Sequence, residues 1–203
     1  MTTPVNPAPG RRRLLLLAAL LLLPVLVAYG LYYSGWRPSS TANHGELLQP
    51  ARPVQDVTLT LLGGESIRFS HWHGKWTLLT FSTAECLKPC ERNLNNIRQI
   101  IAAQGNEAHR VRGALVVTDG KALDWLRYAI KDYPGMQVII GPPAAVNLLA
   151  RQFVLPAGSP LENLNRVYLV DPSGNFMMSY PADADPTGMN KDIKRLLRVS
   201  QIG

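Results

Sequence analysis

Cys86 and Cys90 are the only cysteines among 203 residues, and they lie four apart in Glu85-Cys-Leu-Lys-Pro-Cys90. A thiolate is both a nucleophile and a soft metal ligand, so such a pair can exchange disulfides or hold an ion such as Cu(I). Residues four apart on a regular helix keep their Cβ atoms roughly 5 to 6 Å apart, whereas a disulfide wants roughly 3.5 to 4.5 Å. The spacing therefore leaves two arrangements: a turn before Pro89 that bends Cys86 inward, or two sulfurs that span a soft ion. Structural zinc is disfavoured, because it normally takes four ligands.

The elements that position the pair can be read on either side of it. Trp76 to Phe81 is a short apolar run suited to a buried central strand, and the cysteine turn follows directly. Pro89 has no amide hydrogen and belongs in a helix's first turn, while Gly105 is placed to stop that helix. Cys90, Leu94, Ile97 and Ile101 then share one face, so Cys90 is expected to point inward and Cys86 to be the more exposed thiol. The unpaired amides of the helix N-terminus and the charge of Lys88 favour a thiolate there, which makes Cys86 the expected nucleophile or metal ligand.

Around this centre the chain alternates strand and helix. Val57, Leu59 and Leu61, then Gly63-Gly64, then Ile67 and Phe69 predict a β-hairpin at the start of a domain beginning near Val54. Further strands are expected at Ala114 to Val117, Val138 to Ile140, Val167 to Val170 and Phe176 to Tyr180, with Asp171-Pro-Ser-Gly174 turning between the last two. Helices are expected along Leu123, Leu126 and Ile130, from Pro142-Pro143 with Val146, Leu149 and Phe153 on one face, and from Asp185-Pro186 along Met189, Ile193 and Leu197. Trp72, Trp76 and Trp125 call for no role beyond packing.

Before the domain, Arg11, Arg12 and Arg13 abut an uncharged run from Leu14 to Tyr33, with Tyr29, Tyr32, Tyr33 and Trp36 gathered at its far end. About 20 apolar residues cross a bilayer, the arginines belong on the cytoplasmic side and the aromatics at the opposite interface. The run exceeds the length of a signal-peptide core, about 7 to 15 residues, so it is read as a retained anchor. The expected organisation is a cytoplasmic tail at 1–13, a transmembrane anchor at 14–33, a Pro- and Ser-containing linker at 34–53 and the folded domain at 54–203, facing the periplasm of a bacterial inner membrane. Of the 21 Lys and Arg residues, Arg11, Arg12, Arg13 and Arg37 precede residue 51, as does Glu46 among the 14 acids. The remaining 17 basic and 13 acidic residues form no dense basic run with interleaved aromatics, so no nucleic-acid partner is expected.

With hairpin, turn and strand order assembled, the domain resembles the thioredoxin superfamily, and within it the membrane-anchored Sco/SenC proteins that assist assembly of the copper site of cytochrome c oxidase. Gly74-Lys-Trp-Thr-Leu-Leu79, the cysteine turn and Tyr168-Leu-Val-Asp-Pro-Ser-Gly174 carry that likeness. Gly45-Glu-Leu-Leu-Gln-Pro50 and Arg98-Gln-Ile-Ile-Ala-Ala-Gln-Gly105 are similar to a Sco-like subgroup of bacterial transmembrane proteins associated with oxidase assembly. The resemblance implies an α/β, thioredoxin-like fold with an N-terminal β-hairpin after a single transmembrane helix. It also implies a partner in a cytochrome c oxidase subunit or another assembly factor. Cys86 and Cys90 would act catalytically in thiol–disulfide exchange or as ligands that carry copper; the alternative is a scaffold that uses neither.

Two positions depart from the pattern. The third copper ligand of Sco proteins is a histidine five residues before the Tyr of the Tyr-Leu-Val-Asp-Pro strand, and that position here is Asn163. An amide is a poor ligand for Cu(I). No proline immediately precedes Val167, where thioredoxin-type oxidoreductases usually carry a cis-proline. His71 and His73 are expected to be solvated or capping groups, His44 to lie in the tether and His109 in a charged loop. Of Met177 and Met178, adjacent on a strand, at least one should be core filling.

Overall fold

The computed structural model describes residues 8–35 and 43–200. They form two compact units divided between residues 42 and 43. The first contains helix α1 (Ala8–Tyr33), interrupted in sequence by Pro24. Its stretch from Gly10 to Tyr33 is long and apolar enough to cross a membrane, and none of it is buried in the protein. Pro24 is compatible with such a helix because the freed carbonyl can be satisfied locally. Trp36, expected in the aromatic belt, lies outside the described residues.

In the second unit the chain runs β1 (Glu46–Pro53), β2 (Thr58–Leu61), β3 (Ser66–Arg68), β4 (Trp76–Ser82), α2 (Lys88–Ala102), β5 (Val111–Val117), α3 (Leu123–Ala129), β6 (Gln137–Ile140), α4 (Pro143–Ala150), β7 (Val167–Val170), β8 (Asn175–Tyr180) and α5 (Pro186–Val199). The strands make one sheet in the order β1-β8-β7-β4-β5-β6-β2-β3. β4, β5 and β6 are parallel, while β7 is antiparallel to β4 and β8 to β7. The expected hairpin is β2–β3, joined to the sheet through β6.

All seven residues of β4 are buried, because the strand lies mid-sheet with helices over both faces. The alternation of a strand sends Leu78 to one side, with Ile97 and Ile100 of α2 and Met189 and Ile193 of α5. Leu79 and Phe81 point to the other, with Val146 and Leu149 of α4 and with Phe153, Tyr168 and Phe176. The four rings of Phe81, Phe153, Tyr168 and Phe176 meet at centroid distances from 5.0 to 5.9 Å. Edge-on and tilted pairs of this kind contribute beyond their buried area.

The linker expected at 34–53 needs correction at its far end. Residues 46–53 are strand β1, paired antiparallel with β8 through Glu46–Ser179, Leu47–Met178, Arg52–Phe176 and Pro53–Asn175. The domain thus takes in residues before Val54. What fastens this segment is the buried Asp192 of α5, whose carboxylate accepts from the His44 amide at 2.9 Å, the Gly45 amide at 3.0 Å, His44 Nδ1 at 3.1 Å and the Tyr180 hydroxyl at 3.1 Å. Gly45 is required there, since a Cβ would lie 2.6 Å from the Tyr180 ring. Helix α2 also ends earlier than Gly105 implies, at Ala102, and Gly105 (φ 58°) opens a short 3-10 segment instead.

Candidate functional site: a buried disulfide where β4 meets α2

After Ser82 the chain leaves β4 in a tight turn. The Cys86 amide donates to the Thr83 carbonyl at 3.1 Å, and the Ala84 amide donates to Asp119 Oδ1 at 3.0 Å. Leu87 precedes the first residue of α2 in extended backbone, and its carbonyl accepts from the Cys90 amide at 2.8 Å and the Glu91 amide at 3.1 Å. Pro89 sits in the first turn, where its missing N–H costs nothing. Cys86 therefore stands just before the helix and Cys90 within it.

The two are joined as a disulfide with Cα atoms 5.0 Å apart. Of the two arrangements open from the spacing, the inward turn is the one observed. Its cause is local: Cys86 adopts φ 42°, in the left-handed region. That conformation costs a non-glycine residue roughly 1–2 kcal/mol.

The same turn corrects the expectation of an exposed Cys86. Cys86 is 3% and Cys90 1% exposed, and both belong to a cluster with Ala84, Leu94, Leu115, Val117, Leu126 and Val138. α3 supplies the cover: Leu126 is fully buried there, and the Trp125 indole Nε1 donates to the Glu85 carbonyl at 3.2 Å. Approach to Cys86 runs through a cavity of about 140 Å³ lined by Cys86, Glu91, Leu94, Trp125, Tyr128 and Tyr133 among others. Burial raises the Tyr133 phenol above its ordinary pKa, and Glu91 raises it further. Trp125 and Tyr128 are exposed apolar side chains at this entrance.

A second polar stitch joins α2, the loop before β7 and the end of β4. Asn93, buried in α2, donates from Nδ2 to the Asn165 carbonyl, and the Asn165 amide donates to the Phe81 carbonyl at 2.9 Å. The loop before β7 is thereby tied to the end of β4 from which the disulfide turn departs. Asn163 lies in this loop, but its amide is committed elsewhere: Nδ2 donates to the Ala157 carbonyl at 2.7 Å, and its backbone amide to Ser159 at 2.9 Å.

None of the histidines joins the cysteines. His71 and His73 precede β4 and Cys86 follows it, so the length of that strand, about 20 Å at 3.3 Å per residue, separates them. His73 rests against Gly174, whose positive φ of 87° and lack of a Cβ make room for the ring. His44 is held by Asp192 and His109 by the Asn106 carbonyl. Among the described residues no group of three or more His, Cys, Asp or Glu side chains could hold a metal ion. Two sulfurs with Asn163 turned to its own loop do not make the three-ligand copper site that the resemblance implies.

Asn93 and Asp119 were not singled out in the sequence, and Trp125, expected only to pack, instead donates to the Glu85 carbonyl. Asn93 carries a weak signal, a polar residue on the apolar side of α2 one turn after Cys90. Asp119 and Trp125 carry none, since only the fold brings α3 and the connection before it over the disulfide turn.

A thioredoxin-like sheet with a Cys-x-x-x-Cys disulfide at the end of its central strand defines the class. The family described as "Transmembrane-like, thioredoxin-like, C-terminal domain" matches residues 76–200, and the chain belongs to it. A comparison with curated proteins found no match. Among solved structures it is similar to ScoI of Bradyrhizobium japonicum with copper bound, at 19% identity and TM-score 0.56, covering 70% of this chain and 98% of that one. It is similar to apo Sco1 of Thermus thermophilus at 20% identity and TM-score 0.61, covering 78% and 99%. BsSco, described as a member of the Sco family of cytochrome c oxidase assembly proteins with a disulfide switch, matches at 16% identity and TM-score 0.57, covering 74% and 96%. These likenesses establish a shared fold.

Proposed function

We propose that this chain is a membrane-anchored thiol–disulfide exchange protein of the bacterial inner membrane that assists assembly of the copper site of cytochrome c oxidase from the periplasmic side. The observation that carries the proposal is the closed Cys86–Cys90 disulfide at the N-terminus of α2. The Sco proteins that share the fold, one of them described with a disulfide switch, support the oxidase context. Arg11, Arg12 and Arg13 before the apolar run support an inward N-terminus and an outward domain, where disulfides persist.

In the reduced chain, Cys86 as thiolate attacks one sulfur of a partner disulfide. The partner's S–S bond breaks, its other sulfur leaves as a thiolate and takes up a proton, and a mixed disulfide forms. Cys90 then loses its proton and attacks the Cys86 sulfur, which releases the second partner thiol and restores the bond seen here. Two electrons and two protons pass to the partner, and an external dithiol must return them. The partial positive charge at the start of α2 and the proximity of Lys88 favour the thiolate of Cys86.

A Cys90→Ser variant of the full-length chain leaves the first step and removes the second. It should accumulate a mixed disulfide with an oxidase subunit or assembly factor in cells that need the protein. Absence of any such adduct, together with full oxidase activity in a strain carrying serine at both positions, overturns the proposal. Cysteine-dependent binding of Cu(I) by the reduced chain in an anaerobic titration, with no adduct formed, would assign the pair to copper carriage instead.

A further inference from the structure

We infer that Trp125 is a positioning residue for the disulfide, holding Cys86 in the conformation that closes the bond. The inference deepens the thiol–disulfide reading and rests on it. The Glu85 carbonyl belongs to the same peptide plane as the Cys86 amide, so rotation about the Cys86 φ swings that carbonyl. Trp125 Nε1 is bonded to it at 3.2 Å while φ is 42°, a value that a non-glycine residue leaves readily when nothing holds it. One residue earlier, the Ala84 amide is bonded to Asp119 at 3.0 Å. Asp119 lies in the connection between β5 and α3 and Trp125 in α3 itself, and Trp125 shares the cavity at Cys86.

The consequence follows from linkage. When the disulfide is reduced, Cys86 is free to relax out of the left-handed region, and the peptide plane turns away from the indole. The Trp125 bond therefore belongs to the oxidised form, and whatever stabilises one form alone shifts the equilibrium between them. In the reverse sense, reduction loosens the hold of α3, a helix of seven residues with Leu126 as its buried side chain, over the entrance to Cys86.

The test equilibrates the full-length chain in detergent micelles with reduced and oxidised glutathione and counts free thiols. Two glutathione thiols surrender two electrons and two protons as their own S–S bond forms, and the Cys86–Cys90 bond becomes two thiols. Trp125→Phe keeps a ring and loses the N–H; Trp125 is 52% exposed, so the change leaves the core intact. The expected result is a fall in the equilibrium constant for disulfide formation of about twofold to tenfold, with a lower unfolding temperature in the oxidised form only. In the unsubstituted protein, the Trp125 indole proton should exchange faster with solvent after reduction. An unchanged constant, equal loss of stability in both redox forms, or equal indole exchange overturns the inference. Failure of Cys90→Ser to trap a partner would instead strike the exchange reading, since the glutathione equilibrium needs no partner.

Discussion

Asn93 and Asn165 tie α2 to the loop before β7, with the Asn93 Nδ2 donating to the Asn165 carbonyl one helical turn beyond Cys90. Asn93→Leu removes the donor and leaves that carbonyl unpaired. We expect a loss of roughly 1–3 kcal/mol, read as a lower denaturant midpoint with unchanged slope, and faster amide exchange at Asn165.

Asp192 gathers four donors, three of them from His44 and Gly45. Asp192→Ala strands those donors and the Tyr180 hydroxyl. The expected cost is about 2–4 kcal/mol, accompanied by protease cleavage between residues 43 and 53, which the unsubstituted domain should resist.

The Tyr168 ring packs among aromatic rings, its buried hydroxyl has no hydrogen-bond partner among the described residues, and burial pushes its pKa up to about 12. Tyr168→Phe removes an unsatisfied polar atom while keeping the ring. Thermal unfolding should show stability unchanged or increased by up to about 1 kcal/mol.

Asp185 caps α5 by accepting from the Thr187 amide at 2.9 Å, and that bond holds its carboxyl below the usual carboxylate range. A depressed folded pKa gives stability that is complete above the unfolded pKa of about 4 and disappears as pH falls through the folded value. Asp185→Ala should therefore lower the unfolding temperature near neutral pH by a few degrees, and the deficit should vanish on acidification.

The strands, the helix start and the turns were legible where their signals are local. The apolar run of β4, the Pro89 helix start and the Asp171–Gly174 turn each follow from residues adjacent in sequence. β1 was not legible, because Pro50 and Pro53 and the lack of alternation read as tether; what fixes it is Asp192, well over a hundred residues away. The burial of Cys86 depends on a positive φ at a residue type that rarely adopts one, and on cover from α3. Neither leaves a periodic trace. The absence of a histidine at Asn163 was plain from the sequence, while the commitment of its amide to Ala157 required the loop itself.

β1 also bears on how the domain meets other chains. It is the outermost strand on its side of the sheet, and an open strand margin invites another chain to add on. Pro50 and Pro53 withhold amide donors from that margin, and the register breaks between Leu47 and Arg52. A strand so interrupted offers no continuous ladder to a second copy, which protects the fold against edge-to-edge aggregation.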